Sequence, residues 1–259
     1  MHETMTPVET ASAAPDLGSH SPSLTVMPTH EPLTAPIDTR AARAFAWRWT
    51  RRAITLALVL VAVWLVVCFL LTWLLTRRVE PIEPEIAPAV EWATIESARL
   101  ATTDGQDLGA WFVDGKAWSA PSVLLLHGHG GSRSWVLPQA KIFADAGCAV
   151  FMISMRSSGD STGEATDFGY SARKDVIAAV EWLESRRAQR PIYVMGMSMG
   201  AAAAIFAGEE LGTRVKGYIF ESPYRDLRTA VKNRCELLLS APFDDIAYAG
   251  LMLTGPIFL

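Results

Sequence analysis

Two glycines flanking a serine, Gly196-Met197-Ser198-Met199-Gly200, constrain the folding of this chain more than any other feature. Before them runs Pro191-Ile192-Tyr193-Val194-Met195, short, apolar and β-prone. After them runs Ala201-Ala202-Ala203-Ala204-Ile205-Phe206-Ala207, small, apolar and helix-prone. The pattern predicts a strand, a sharp turn and a helix in immediate succession. Glycines at 196 and 200 let strand and helix crowd around a strained serine. The Ser198 hydroxyl then stands exposed at the carboxyl end of a sheet, above a helix N-terminus. Ser198 is the candidate nucleophile. The same spacing recurs in Gly159-Asp160-Ser161-Thr162-Gly163, but there the apolar run ends at Ile153, and polar Glu164-Ala165-Thr166-Asp167 follows. That copy reads as a loop with turn chemistry.

Residues 53–75 contain 23 consecutive positions without a charge, glycine or proline. At about 1.5 Å per residue such a helix reaches roughly 35 Å, enough to cross a hydrocarbon core of about 30 Å. Its apolar character on all sides leaves no solvent face, and both the 52 preceding residues and the length of the run argue against a cleaved signal peptide. Trp47, Trp49 and Trp73 fit interfacial aromatic belts. Arg40, Arg43, Arg48, Arg51 and Arg52 precede the run, and only Arg77 and Arg78 follow it. This imbalance predicts a single-pass protein with a cytoplasmic N-terminus and the rest of the chain extracytoplasmic.

Residues 1–39, with six prolines and many Ser, Thr and Ala, cannot bury enough apolar surface to offset ordering entropy and read as a disordered tail. Residues 40–52 form a basic juxtamembrane segment, and 76–93 an acidic, proline-rich linker. A net charge of −4 and the lack of a basic face argue against a nucleic-acid partner. Cys68, Cys148 and Cys235 allow at most one disulfide and show no metal-binding spacing.

Residues 94–259 read as the folded domain. Residues 94–103 and 108–113, joined by Asp104-Gly105, predict a β-hairpin. Strands follow at 122–126, 148–154, 192–195 and 215–220, with helices at 135–146, 170–187, 198–210 and 226–239 between and after them. Alternating strands and helices imply a parallel sheet covered on both faces. An apolar segment ends the chain.

The order of hairpin, strand, His127-Gly128-His129-Gly130-Gly131 loop, helix, strand, Arg-containing Gly/Ser loop, helix, strand and 196–200 turn resembles the α/β-hydrolase fold. More narrowly, it resembles the membrane-anchored α/β-hydrolase-domain serine hydrolases related to the serine aminopeptidase-like group. That family often carries D-x-R-G-x-G-x-S-x-G where this chain has Ser154-Met155-Arg156-Ser157-Ser158-Gly159-Asp160-Ser161-Thr162-Gly163, so an aspartate and a glycine are replaced. The resemblance implies an oxyanion hole made by the backbone N–H groups of Met199 and His129, with Gly128, Gly130 and Gly131 permitting close approach. It also implies hydrolysis of ester, thioester or amide bonds in a small-molecule, lipid or peptide acyl substrate, with no metal and no organic cofactor.

A serine needs a base, and in this fold the acid and then the histidine follow the serine in sequence. The five histidines are His2, His20, His30, His127 and His129; none follows Ser198. His127 and His129 are candidate substitute bases, and a His-x-His zinc site lacks further ligands at recognisable spacing. Glu221 is a possible acid; Asp175 is expected to decorate a helix start and Asp160 a turn. The expectation is a C-terminally incomplete hydrolase whose base and acid lie on a missing segment, so that these 259 residues alone turn over negligibly. The rival is a catalytically dead, membrane-tethered binding or scaffold protein. Haloperoxidase or dehalogenase-like chemistry is a third option, although a dehalogenase usually wants a carboxylate where Ser198 stands.

Overall fold

A computed structural model describes residues 39–78 and 81–258. The predicted tail, apart from Thr39, and His2, His20 and His30 lie outside the described residues. The chain divides into two units, residues 1–52 and 53–259. In the first, residues from Thr39 onward are helical, and Phe45 and Trp49 pair with ring centroids 6.0 Å apart. The helix α1 spans Thr39–Thr76 and contains the segment long and apolar enough to cross a membrane, Arg43–Thr76.

In the second unit the sheet has six strands: β1 (Glu96–Ala101), β2 (Asp107–Val113), β3 (Ser122–Leu126), β4 (Ala149–Ile153), β5 (Ile192–Met197) and β6 (Val215–Glu221). Their order is β1-β2-β4-β3-β5-β6. The β1–β2 hairpin joins the sheet antiparallel to β4, and β4, β3, β5 and β6 run parallel. Gly105, at φ +83°, supplies the left-handed residue of the hairpin turn and donates to Thr102 O. β3 and β4 are buried at every position, which is why they read as continuous apolar runs rather than alternating ones.

The period of two shows in the partners. Leu124, Leu126, Phe151 and Ile153 join one core, and Val123, Leu125, Val150 and Met152 join the other. The first core is closed by α3 (Arg173–Arg186) and α4 (Met199–Leu211), the second by α2 (Leu137–Asp145). Trp182 of α3 stacks on Phe151 with centroids 4.2 Å apart. The predicted helix at 135–146 begins as a 3₁₀ turn, Arg133–Val136, and ends at Gly147, whose φ is +92°.

Two helices follow β6: α5 (Leu227–Leu238), capped by the Asp226 side chain on Thr229 N, and α6 (Phe243–Thr254). The final apolar segment is thus largely helical. α6 lies along α1: Thr254 Oγ1 bonds Thr72 Oγ1 at 2.6 Å, and a side chain at Gly250 would strike Cys68 Sγ. Cys68 and Thr72 are consequently buried, and Thr76 is buried one turn further on, so α1 carries a protein-covered stripe.

The linker is more than a spacer. Glu85 pairs with the buried Arg133 at 3.0 Å and accepts hydrogen bonds from Ser132 Oγ and Ser154 Oγ. A linker carboxylate therefore stands beside Ser154, the position at which the resembling family has aspartate. Ser157, which replaces a family glycine, sits at φ +63°. Arg156 of this loop donates to the fully buried Asp175 (Nη2 to Oδ1, 2.7 Å) and to Asp104 (Nη1 to Oδ2, 2.9 Å). Asp175 lies in the first turn of α3 as expected, but as half of a buried ion pair. Asp160 likewise holds Arg133 at 2.5 Å instead of merely decorating a turn.

Candidate active site

β5 delivers the chain to Ser198, and α4 leaves immediately after it. Ser198 has φ 49° and ψ −107°, a left-handed backbone that costs a non-glycine residue about 1–3 kcal/mol. Packing holds it there. A Cβ on Gly196 would come within 2.6 Å of Ala201 N and Gly200 O. One on Gly200 would come within 2.7 Å of His127 O and Leu126 O. Ser198 N–H donates to Glu221 O at 2.8 Å, tying the turn to β6. The serine is half-buried, and its hydroxyl makes no capping bond to α4. The turn sets it at a helix N-terminus, where unpaired N–H groups favour developing negative charge.

The 127–131 loop crosses over this turn. A Cβ built on Gly128 would lie 3.7 Å from Ser198 Cβ, ordinary van der Waals contact. Gly130 takes φ +75°, and Gly131 N–H closes the loop on Gly128 O. Gly128, His129 and Gly130 thus share one end of the sheet with Ser198 and Met199. A crevice of about 750 Å³ opens beside them, lined by Leu74, Glu85, His129, Trp135, Thr166 and Met199 among others. It reaches the elbow through Met199 rather than Ser198.

Each histidine ring of this loop bonds a main-chain group, and neither hydrogen-bonds Ser198. His127 is fully buried; its Nε2 accepts from Met155 N–H at 3.0 Å, so its proton sits on Nδ1, 2.7 Å from Gly128 O. Burial pushes its pKa down to about 4. His129 is exposed, and its Nε2 donates to Leu75 O at 2.9 Å. Glu221 closes β6 with an exposed side chain, and only its carbonyl engages Ser198. Ser161, by contrast, is buried, donating to Ser154 O and accepting from Gly109 N–H. Among the described residues no group of three His, Cys, Asp or Glu could hold a metal ion, and the three cysteines are free.

The buried neutral His127 makes the elbow acid-sensitive. Between pH 6.5 and about 4 the unfolded chain binds a proton at this ring that the folded chain refuses. Stability is therefore complete above that window and falls by about 3 kcal/mol across it. Thermal melts should decline from about pH 6.5 downward; a flat profile to pH 5 would contradict the assignment.

Strand, elbow and helix on a mostly parallel sheet, with a glycine-rich loop over the serine, define an α/β-hydrolase fold. Residues 119–252 match the family described as serine aminopeptidase, S33, and the chain belongs to that family. Human Protein ABHD12B is 30% identical over 157 residues, 59% of this chain and 42% of its own length. The chicken (Gallus gallus) lysophosphatidylserine lipase ABHD12 is 28% identical over 147 residues, 55% of this chain and 38% of its own length. The matches thus span about two fifths of these relatives. Among solved structures, an esterase of Pyrococcus furiosus superposes with a TM-score of 0.54 at 22% identity, covering 66% of this chain and 67% of that one. This likeness is one of fold.

The strand, turn and helix around residues 196–200 stand where the sequence predicts them, and the 127–131 loop lies beside them. Sequence reasoning missed the Glu221 carbonyl, the Glu85–Arg133 pair and the His129 ring bond, none of which has a local sequence signal.

Proposed function

We propose that the chain belongs to a membrane-anchored serine hydrolase that cleaves ester, thioester or amide bonds through an acyl-enzyme on Ser198. The observation that carries this reading is the strained, half-buried Ser198 at the start of α4, with Gly128 packed against it. Ser198 Oγ attacks the acyl carbonyl as a base removes its proton. The resulting oxyanion accepts hydrogen bonds from the backbone N–H groups of Met199 and His129. Collapse expels the alcohol, thiol or amine, protonated by the same base, and water then releases the acid.

His127 is buried and bonded at both ring nitrogens, and the His129 ring bonds Leu75 O rather than Ser198, which supports a base outside this sequence. The acid is Glu221 or a carboxylate that likewise lies outside it. The names of the lipase relatives support an acyl lipid as substrate. Residues 53–75 are the proposed anchor, between a basic segment at 40–52 and a linker at 76–93 that leads to the domain at 94–259. The excess of arginines before the anchor supports a cytoplasmic N-terminus and an extracytoplasmic domain.

A second reading, a dead hydrolase fold serving as a membrane-tethered binding protein, is favoured by one observation: among the described residues no histidine ring hydrogen-bonds the Ser198 hydroxyl. Nitrophenyl ester hydrolysis separates the two. The protein made from its complete gene, in detergent, should release a burst of about one nitrophenol per molecule and then turn over more slowly. Hydrolysis at the buffer rate would leave the second reading. Residues 1–259 alone should show negligible turnover, and robust Ser198-dependent activity there would overturn the placement of the base.

A further inference from the structure

The final carbonyls of a helix have no partner within it and must find one elsewhere. In α1 two of them are taken by the loops that flank the elbow. Leu75 O accepts from His129 Nε2 at 2.9 Å, and Thr76 O accepts from Thr166 N–H at 2.8 Å. Thr166 Oγ1 in turn lies 3.4 Å from Met199 Sδ. The His129 ring also stacks on Phe168, with centroids 5.0 Å apart and planes 28° from parallel. Phe168 is fixed by the Tyr224 hydroxyl, which donates to its carbonyl. Just past the helix, Arg78 N–H donates to Glu164 O at 2.8 Å, and its guanidinium donates to Ser161 O at 2.6 Å.

We propose that the last turn of α1 is a working part of the active site: it sets the position of the oxyanion loop, with the His129 side chain as the positioning residue. The proposal rests on the reading of Ser198 as the acylated nucleophile. The residue whose N–H would face the oxyanion is thus held through its own side chain by the apolar helix. The imidazole donates toward the negative end of the helix dipole, where a donor is favoured. Met199, bearing the other N–H, is reached from the same turn through Thr166. The helix then does more than tether the domain, because its final turn fixes both sides of the oxyanion hole.

An exposed histidine making one surface hydrogen bond is worth about 1 kcal/mol of stability and would leave the chemistry unaffected. A loop that positions an oxyanion donor has a different signature: misplacement by an ångström costs about a hundredfold in rate. The test compares His129→Ala, His129→Gln and Ser198→Ala in the protein made from its complete gene, solubilised in detergent. Two readouts are taken, nitrophenyl ester kinetics and amide hydrogen exchange of residues 127–132.

In His129→Ala, kcat should fall by about tenfold to a hundredfold with KM within threefold of wild type, and loop exchange should accelerate. In His129→Gln, whose amide retains an N–H donor, both should recover most of the way. Unchanged exchange in His129→Ala would overturn the proposal whether or not the enzyme is active. Accelerated exchange with unaltered kcat would overturn it as well, since the clamp would then be structural only. Equal losses in the Ala and Gln variants would remove the donor role. Failure of the nucleophile reading registers separately, as activity that survives Ser198→Ala; the positioning role falls with it.

Discussion

Replacing Ser198 with alanine should lower ester hydrolysis by the complete gene product by about 10⁴- to 10⁶-fold, leaving only the contribution of binding and the oxyanion donors. KM is expected to change little, because a nucleophile contributes chiefly to the chemical step. The fold should tolerate the change. Alanine at φ 49° is strained much as serine is, the Ser198 hydroxyl makes no capping bond, and the turn is held by Gly196, Gly200 and the Glu221 carbonyl. Equal melting temperatures with lost activity would separate chemistry from stability. A decline below tenfold would place the nucleophile elsewhere.

The largest effect on stability should come from Asp175→Ala. Asp175 is fully buried in the first turn of α3 and accepts from the Arg156 main-chain N–H at 2.8 Å as well as from its guanidinium. Without it, Arg156 is left buried with only the partly exposed Asp104 as counter-charge. Breaking a buried pair by removing one partner costs about 3–5 kcal/mol, and for a domain of this size that is a fall of roughly 10–15 °C in melting temperature. A shift under 2 °C would mean that Asp104 alone satisfies the arginine. The Arg156 bonds hold the Asp104 carboxyl well below the usual carboxylate range. Its contribution is present above the unfolded pKa near 4 and lost as pH falls toward the folded value, so the pair at Asp104 should survive the acid window that disables His127.

The physical reasons for what could be read in the chain differ from element to element. β3 and β4 were legible because a strand buried on both faces must be apolar at every position, and five such residues between turn signals admit few other fates. The elbow was legible because steric exclusion acts locally: only glycine fits at 196 and 200, and strand and helix propensities change across five residues. Charge pairs were not legible. Arg156 and Asp175 stand 19 positions apart, and nothing in either neighbourhood distinguishes a buried carboxylate from one at an exposed helix start. Glu85 lay in a segment whose prolines and acids describe a spacer equally well, until Arg133 is seen 48 positions away. The docking of α6 was invisible for a related reason. Periodicity shows that a helix has an apolar face, and it takes the fit of Gly250 on Cys68 to show what that face meets.

The proposed carrier of the acyl group is Ser198 Oγ, at the strained elbow between β5 and α4. Treating the complete gene product in its own membranes with a fluorophosphonate and mapping the modified peptide tests it most directly. A single adduct on Ser198 is expected, suppressed by prior heat denaturation and missing from Ser198→Ala. An adduct on Ser161, or an unmodified Ser198 in folded protein, would contradict it.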